Sequence, residues 1–369
     1  MAETAIETAT IGVVGGTGFA GGEACRLLLN HPRVGDIRPT ARGDEEFERV
    51  HRNLAGAGLD FVAVDRLLEQ AAELDCVLLC TPSGQAMRLA PRLLDAGVRV
   101  VDLSGDFRFA DPDGYRRAYG EDHASPQLLG EAVCGITELH RAEIAGARLI
   151  ANPGCYVIAA TLALAPLLKG RLVALDSGLQ ISAVNGTTGA GNQPRKEVMH
   201  PEAFASMLPY SLDGHRHAPE LEARFQELAG EPVTVSLTTA HGAFARGIYV
   251  NTTVVPASSQ GVDWSRDRLI EIYRDFYGAG HEGDHFVVVN ELPRRGGLNV
   301  KEYDIYPLMR GVVGSNFCHL GVDFDPEREL IKVVSVIDNL VKGAAGSAIQ
   351  NMNLMLGLEE TCGLRHYGL

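Results

Sequence analysis

The turn Gly15-Gly16-Thr17-Gly18-Phe19-Ala20-Gly21 constrains this chain more than any other segment. It follows the β-branched run Thr10–Val14 and opens a stretch with helical character, Glu23–Asn30. Gly16, Gly18 and Gly21 match G-x-G-x-x-G, the spacing that joins strand to helix in a βαβ unit. The first glycine permits the tight turn. The second admits a pyrophosphate close to the backbone, and the third lets the helix pack on the strand. The helix N-terminus beyond them offers unbonded N–H groups and a partial positive charge to an anion. This context predicts a dinucleotide site at Gly15, Gly16, Thr17, Gly18, Phe19 and Gly21.

The segments that follow extend the same pattern. Val34–Thr40 reads as a strand and Leu67–Glu73 as a helix. Asp75–Cys80 reads as an apolar strand ending in the turn Thr81-Pro82-Ser83-Gly84. Ala86–Ala96 is an amphipathic helix and Val98–Leu103 a buried strand. Apolar strands separated by helices imply a parallel sheet covered on both faces, so the fold class is α/β with a Rossmann-type doubly wound sheet. The end of the second strand selects the cofactor, because an acid there binds a ribose hydroxyl and an arginine accommodates a 2′-phosphate. Ile37-Arg38-Pro39-Thr40-Ala41-Arg42 carries no acid before Asp44. NADP(H) is therefore expected, with Arg42 and Thr40 at its 2′-phosphate.

The middle of the chain has another texture. Ala174–Val184, Val233–Ala240, Gly247–Val255, Phe286–Val289 and Leu330–Ile337 are β-rich, without regular intervening helices. They predict a second α/β domain with a mixed or antiparallel sheet. The tail Asn339–Leu356 returns to helical periodicity, and Gly343-Ala344-Ala345-Gly346 suits close helix packing. A length of 369 residues agrees with two domains.

Composition excludes several function classes. The formal charge is −14, from 33 basic and 47 acidic residues, which repels a nucleic-acid backbone. No apolar run reaches the ~18 residues of a membrane helix. Met1–Thr10 lacks a basic region and an apolar stretch, so an irregular start and no secretory signal are expected. The seven cysteines are odd in number and form no paired C-x-x-C set. Neither a disulfide framework nor a metal site is expected, and reduced cytoplasmic thiols are the simplest reading.

One of those thiols stands apart. Asn152-Pro153-Gly154-Cys155-Tyr156 precedes the apolar helical run Val157–Leu168, which places Cys155 at a helix N-terminus. Helix N–H groups stabilise a thiolate, and they can also hold an oxyanion on a carbonyl that the sulfur attacks. Cys25, Cys76 and Cys80 sit in apolar surroundings and read as packing residues. A nucleophilic thiol beside a nicotinamide implies a thioester or thiohemiacetal that exchanges hydride. That chemistry needs a proton shuttle. His215-Arg216-His217-Ala218-Pro219-Glu220 is the densest histidine cluster, with His241, His200 and His123 as alternatives. An acyl phosphate also needs cations. Arg108, just past the strand at Val98–Leu103, and Arg246, beside Gly247, are the candidates.

Together these residues carry a resemblance. Gly15–Gly21, Asp102–Arg108, Asn152–Tyr156, Gly189-Ala190-Gly191, His215–Glu220, Ala245–Ile248, Gly314-Ser315-Asn316 and Ile337–Gly343 occur in one order along nearly the whole chain. The chain resembles the N-acetyl-gamma-glutamyl-phosphate reductase family, related to aspartate-semialdehyde dehydrogenase. The resemblance implies NADPH-dependent reduction of N-acetyl-L-glutamyl 5-phosphate to the semialdehyde, in arginine biosynthesis. It puts Cys155 on the nucleophile and His217 on the acid/base, with Arg108, Arg246, Asn152 and Gly189 at the substrate. Ser83, Ser104, Asn316 and Asn339 join the cofactor residues. It implies residues 1–154 as an NADP-binding domain completed by 338–369, residues 155–337 as a catalytic and oligomerisation domain, and a homodimer or homotetramer.

Three segments depart from the commoner family pattern. Ser83 stands where many relatives carry histidine, and Thr137 where proline is usual. Ile181–Thr188 is more polar than the usual Ser-Gly-Val-Ser run. The last bears on the acyl group, so a relative acting on a carrier-bound aminoadipyl or glutamyl phosphate is the alternative substrate reading. A non-catalytic NADP sensor is the alternative of another class.

Overall fold

The computed structural model describes residues 8–176, 178–257, 261–278, 284–297 and 300–369. Most of the irregular start expected at Met1–Thr10 lies outside them. The chain divides into two compact units. The first comprises Met1–Gly154 and Gly343–Arg365, and the second Cys155–Lys342 and His366–Leu369. The returning segment is thus shorter than the 338–369 expected from sequence.

The first unit begins with β1 (Ala9–Val14), α1 (Phe19–Leu28), β2 (Val34–Ala41), α2 (Phe47–Val50), β3 (Val62–Ala63) and α3 (Val64–Glu69). It continues with β4 (Cys76–Leu79), α4 (Ala86–Asp95), β5 (Arg99–Asp102), α5 (Pro112–Tyr119), β6 (Val133–Cys134), α6 (Thr137–Gly146) and β7 (Leu149–Ala151). The strands form one seven-stranded sheet in the order β3-β2-β1-β4-β5-β7-β6, every pairing parallel. Order reverses between β1 and β4, where doubly wound sheets bind ligands. Val14, Val77, Leu79 and Val100 on one face join Leu67, Met87, Ala90, Leu93 and Tyr115 in a buried cluster. The sequence reading missed β3, β6 and β7, which have only two or three residues each and too little periodicity to detect.

The second unit contains α7 (Cys155–Lys169), β8 (Leu179–Asn185), α8 (His200–Ala203), β9 (Met207–Tyr210), α9 (His217–Ala229), β10 (Val235–Gly242) and β11 (Ile248–Val254). Next come α10 (Arg266–Tyr277), β12 (Val287–Val289), β13 (Cys318–Asp325) and β14 (Leu330–Ile337). Its seven strands run β12-β13-β14-β11-β8-β10-β9. β8 with β10 and β12 with β13 pair parallel, and the other pairs antiparallel, so the sheet is mixed. α7, expected from the apolar run Val157–Leu168, packs on this unit together with α9 and α10. α10 has a sequence signature that the reading passed over: Ser265 caps its N-terminus through the Arg268 N–H, and Leu269, Ile270, Tyr273 and Tyr277 make its buried stripe.

Pairing register stacks the inner face of this sheet in rows. Ile181, Thr252, Val333 and Val322 form one row, and Ala183, Val250, Ser335 and Leu320 the next. Asn185, Ile248, Ile337 and Cys318 form the third, and all twelve residues are buried. α7 lies against the sheet and is buried from Tyr156 to Leu168, as a helix apolar all round must be. The alternate positions, Gln180, Ser182, Ser236, Thr238, Tyr249 and Lys332, are exposed.

In the first unit again, α11 (Gly346–Met355) follows a π-helical turn at Val341–Ala345 and packs on α6, α1 and β5.

Candidate active site

In the first unit the glycine turn closes on itself. Gly15 has φ +81°, and a Cβ there would stand 2.3 Å from the Cys80 carbonyl oxygen at the end of β4. A Cβ on Gly21 would stand 2.4 Å from the Gly15 oxygen. A Cβ on Gly18, the N-cap of α1, meets no atom closer than 3.5 Å, so its open side leaves the helix N-terminus accessible. Thr17 is half-buried and Phe19, the first helical residue, is exposed. This cradle suits a pyrophosphate on both counts, tight where helix meets strand and open where a ligand arrives.

Several residues expected at the ligand also hold the backbone of this unit. Thr40 is buried, and its Oγ1 accepts the Gly15 N–H at 3.2 Å while its carbonyl accepts the Gly16 N–H. The hydroxyl thus supports the turn as an acceptor, and its O–H is the group left for the expected contact with a 2′-phosphate. Ser104 Oγ donates to Asp102 at 2.9 Å and accepts the Asp106 N–H. Asp106 in turn accepts the N–H groups of Gly84 and Met87, fixing the turn before α4 and leaving Ser83 exposed on it. Arg42 is exposed one residue past β2. Sequence reasoning missed His51, whose Nε2 lies 2.6 Å from the Gly16 oxygen and whose ring packs on Gly22 and Phe61.

The segment leading to Cys155 is clamped from the same unit. Arg108 donates through Nε to the Asn152 carbonyl at 3.1 Å and through a terminal nitrogen to the Leu103 carbonyl at 3.0 Å. The Asn152 side chain is buried, and its Oδ1 accepts from Ser347 Oγ at 3.0 Å and from Asn351 Nδ2 at 3.1 Å. Both contacts come from α11 and orient the amide that was expected at the substrate.

In the second unit, Cys155 and His217 are the first residues of α7 and α9, two helices that pack on each other. Tyr156 links them, with its ring edge-on to His215 and His217 at centroid separations of 5.5 and 5.8 Å. The Tyr156 and Tyr210 hydroxyls are 2.8 Å apart, and Tyr210 stacks on His241 at 4.5 Å. Burial pushes the Tyr156 phenol up, with Tyr210 and Cys155 adding to the effect, and raises Tyr210 to about 12. Burial, Arg216 and His241 push His215 down to about 4, so it is neutral near pH 7. Burial also raises Cys25 and Cys76 to about 12 and Cys80 higher still, which makes them unreactive as thiolates. His200 is exposed on the four-residue α8, and His123 belongs to the first unit.

The remaining expected residues cluster in the second unit. Arg246 pairs with the fully buried Asp338 at 3.0 Å, and Asp338 also accepts the N–H groups of Gly314, Leu340 and Val341. Asn339 Oδ1 accepts the Gly247 N–H at 2.8 Å, and Nδ2 donates to Thr188 Oγ1 at 2.9 Å. Asn316 is buried just before β13. Gly189 touches Asn185, a residue the sequence reading did not single out. Among the described residues no group of three or more His, Cys, Asp or Glu is arranged for a metal, and no helix is long and apolar enough to cross a membrane.

The glycine cradle and the helix-terminal thiol each open a stretch of chain that matches the semialdehyde dehydrogenases. Residues 10–147 match the family model of the semialdehyde dehydrogenase NAD-binding domain, and residues 155–339 that of the semialdehyde dehydrogenase dimerisation domain. Among solved structures, aspartate semialdehyde dehydrogenase II of Vibrio cholerae matches with a TM-score of 0.68 at 17% identity, covering 95% of this chain and 98% of that one. The Candida albicans aspartate semialdehyde dehydrogenase with NADP matches with a TM-score of 0.59 at 15% identity, covering 94% and 98%. At those identities the likeness is of fold alone. A curated N-acetyl-gamma-glutamyl-phosphate reductase from Symbiobacterium thermophilum is 38% identical over 366 residues, 98% of this chain and 99% of its own. Another, from Halorhodospira halophila, is 39% identical over 357 residues, 96% of this chain and 97% of its own. The chain belongs to the N-acetyl-gamma-glutamyl-phosphate reductase family.

Proposed function

We propose that this chain reduces N-acetyl-L-glutamyl 5-phosphate to N-acetyl-L-glutamate 5-semialdehyde with release of phosphate, as an arginine-biosynthetic enzyme of the cytoplasm. The observation that carries the reading is Cys155 at the start of α7, joined through Tyr156 to His215 and His217, in a chain of this family. In this reading the Cys155 thiolate attacks the acyl carbon. The carbonyl pair moves onto oxygen and returns as the bond to phosphate breaks, leaving a thioester on sulfur. His217 gives a proton to the thiohemiacetal oxygen and takes it back as the aldehyde leaves and the thiolate reforms, and Arg108 and Arg246 face the anionic groups of the substrate. Arg108 also clamps the backbone before Cys155.

The cofactor is NADP(H) in this proposal. The N–H groups at the start of α1 hold the pyrophosphate, next to a turn whose own Gly16 and Gly18 N–H groups are bonded to Thr40 and Gly15, and Arg42, with no acid before Asp44, meets the 2′-phosphate. When bound, the reduced nicotinamide supplies the hydride that takes the thioester to the aldehyde. A second copy of the chain covers the exposed face of the second sheet. That face carries a depression of about 620 Å³ bordered by Tyr249, Asn251, Asp323, Lys332 and Val334, in the region matched by the dimerisation-domain model.

The test is phosphate-dependent oxidation of semialdehydes by purified protein and its Cys155→Ala variant. N-acetylglutamate semialdehyde should be the preferred substrate over aspartate semialdehyde and carrier-bound analogues. Cys155→Ala should lose turnover and bind NADPH within about threefold of wild type. Turnover in that variant, or preference for another semialdehyde, would overturn the reading.

A further inference from the structure

Asn185 is the last residue of β8, where the inner row of the second sheet ends. It pairs with Ile248 on one side and His241 on the other, so both neighbouring strands hold its backbone. Its side chain is 1% exposed. Its Nδ2 lies 3.9 Å from Cys155 Sγ, and its buried Oδ1 has no hydrogen-bond partner among the described residues. A buried amide leaves an oxygen unpaired only at a cost, and here the NH2 edge is kept towards the Cys155 sulfur and the Tyr156 hydroxyl. A thiolate and a carbonyl oxygen gaining charge are both acceptors only, and of the two amide edges only the NH2 edge can serve them.

The space for this amide is built by a glycine. A Cβ on Gly189 would fall 2.1 Å from Asn185 Nδ2 and 2.7 Å from its Cγ. The next turn is equally fixed, because a Cβ on Gly186 would meet the Ala245 carbonyl oxygen at 2.4 Å and the Gly186 N–H donates to Gly247. The amide therefore sits on a strand end between two turns with little freedom, as a preorganised donor should.

We propose that Asn185 is an oxyanion donor, its Nδ2–H bonding the carbonyl oxygen of the acyl group while that group reacts at Cys155. This rests on the reading of Cys155 as the nucleophile. An oxygen on a carbon bound to Sγ can lie within about 3 Å of Nδ2, the distance such a donor needs. That oxygen carries charge twice. It does so first when the Sγ–C bond forms and the carbonyl pair shifts onto it, before the pair returns and phosphate leaves. It does so again when a hydride from the reduced nicotinamide adds to the thioester carbon, before the pair returns and the thiolate leaves with the aldehyde formed. One fixed donor serves both additions. Gly189 contributes by keeping the space free, which makes it a positioning residue.

The experiment compares Asn185→Ala, Asn185→Asp and Gly189→Ala with wild type and with Cys155→Ser, reading kcat, KM, its pH profile, Cys155 alkylation by iodoacetamide and the folding transition. Asn185→Ala should lose about 100-fold in kcat with KM within about threefold, the size of one lost oxyanion donor. Asn185→Asp has the same shape but accepts only when ionised. Its kcat should fall below that of Asn185→Ala at high pH and recover as pH drops and the carboxyl becomes a donor. A merely structural role produces no such limb. Gly189→Ala should resemble Asn185→Ala, since it displaces the same amide. Alkylation should stay within about threefold in each folded variant, because a 3.9 Å contact contributes little to the thiolate. If Cys155→Ser is inactive while Asn185→Ala and Asn185→Asp keep wild-type kcat, the oxyanion role is overturned and the nucleophile stands. If Cys155→Ser turns over, the nucleophile reading itself fails. Should Asn185→Ala not fold, the pH profile of Asn185→Asp decides, and a wild-type profile overturns the proposal.

Discussion

Two adjacent glycines of α1 make a controlled perturbation of the cofactor cradle. Added Cβ atoms at Gly21 and Gly22 would overlap their neighbours by similar amounts, with closest approaches of 2.4 and 2.3 Å. The neighbours differ. At Gly21 they are the Gly15 oxygen and carbon and the Gly16 Cα, all backbone of the turn. At Gly22 they are atoms of the His51 ring, a side chain that can swing away. Both substitutions gain about 1 kcal/mol of helix propensity. Gly22→Ala gives up the contact of His51 Nε2 with the Gly16 oxygen, about 1 kcal/mol, and should end within about 1 kcal/mol of wild type. Gly21→Ala must push the turn backbone away, an overpacking cost of roughly 1–3 kcal/mol. It also misaims the N–H groups at the start of α1. Losing one charge-assisted bond to the pyrophosphate, roughly 1.5–3 kcal/mol, weakens binding by about tenfold to a hundredfold. Denaturant unfolding and NADPH fluorescence titration measure the two quantities. Gly22→Ala should bind within about threefold of wild type and match His51→Ala, and Gly21→Ala should not. Equal affinity losses in the two glycine variants would refute the distinction between backbone and side-chain overlap.

Other residues yield predictions of the same kind. His215 is held neutral by burial, with a folded pKa of about 4 against 6.5 unperturbed, so the stability it contributes is complete above pH 6.5 and lost as pH falls towards 4. His215→Gln should flatten that part of the urea-midpoint profile, and parallel profiles would count against it. Asp102 has the opposite sign. Burial and the nearby Asp106 raise it from 3.8 to about 7, so its protonated form favours folding at low pH and the benefit is lost as pH rises through 7. Asp102→Asn should therefore gain most in melting temperature above pH 7 and progressively less towards pH 4, and a gain independent of pH would show another cause. Asn351→Leu removes bonds to the Gly135 carbonyl, to Asn152 Oδ1 and from Thr137 Oγ1, stranding buried polar groups. It should cost roughly 2–5 kcal/mol in unfolding free energy, and a loss below 1 kcal/mol would mean that solvent replaces the network.

By itself the sequence determined the local geometry. Gly15 through Gly21 could be read because a turn with φ +81° at Gly15 and a close helix behind it admits few residues other than glycine. The strands around that turn could be read from continuous apolar runs, and the helix after Cys155 from Pro153, Gly154 and fifteen mostly apolar residues. The ordered motifs along the chain also carried the family. Only the tertiary structure decided which polar side chains stay available and which are spent holding others. Thr40 and Asn152 are the residue types a ligand site uses, yet they bond partners 25 and 195 residues away that no local pattern names. Asn185 is the converse case. In sequence it ends an alternating strand before a glycine, inside the polar run Ile181–Thr188, and nothing there sets it apart from its neighbours. It meets Cys155 only because seven strands pair in a register that turns every second residue of β8 towards α7. Periodicity is a property of neighbours along the chain, whereas a site is a property of neighbours in space, and pairing and packing alone bring the second about.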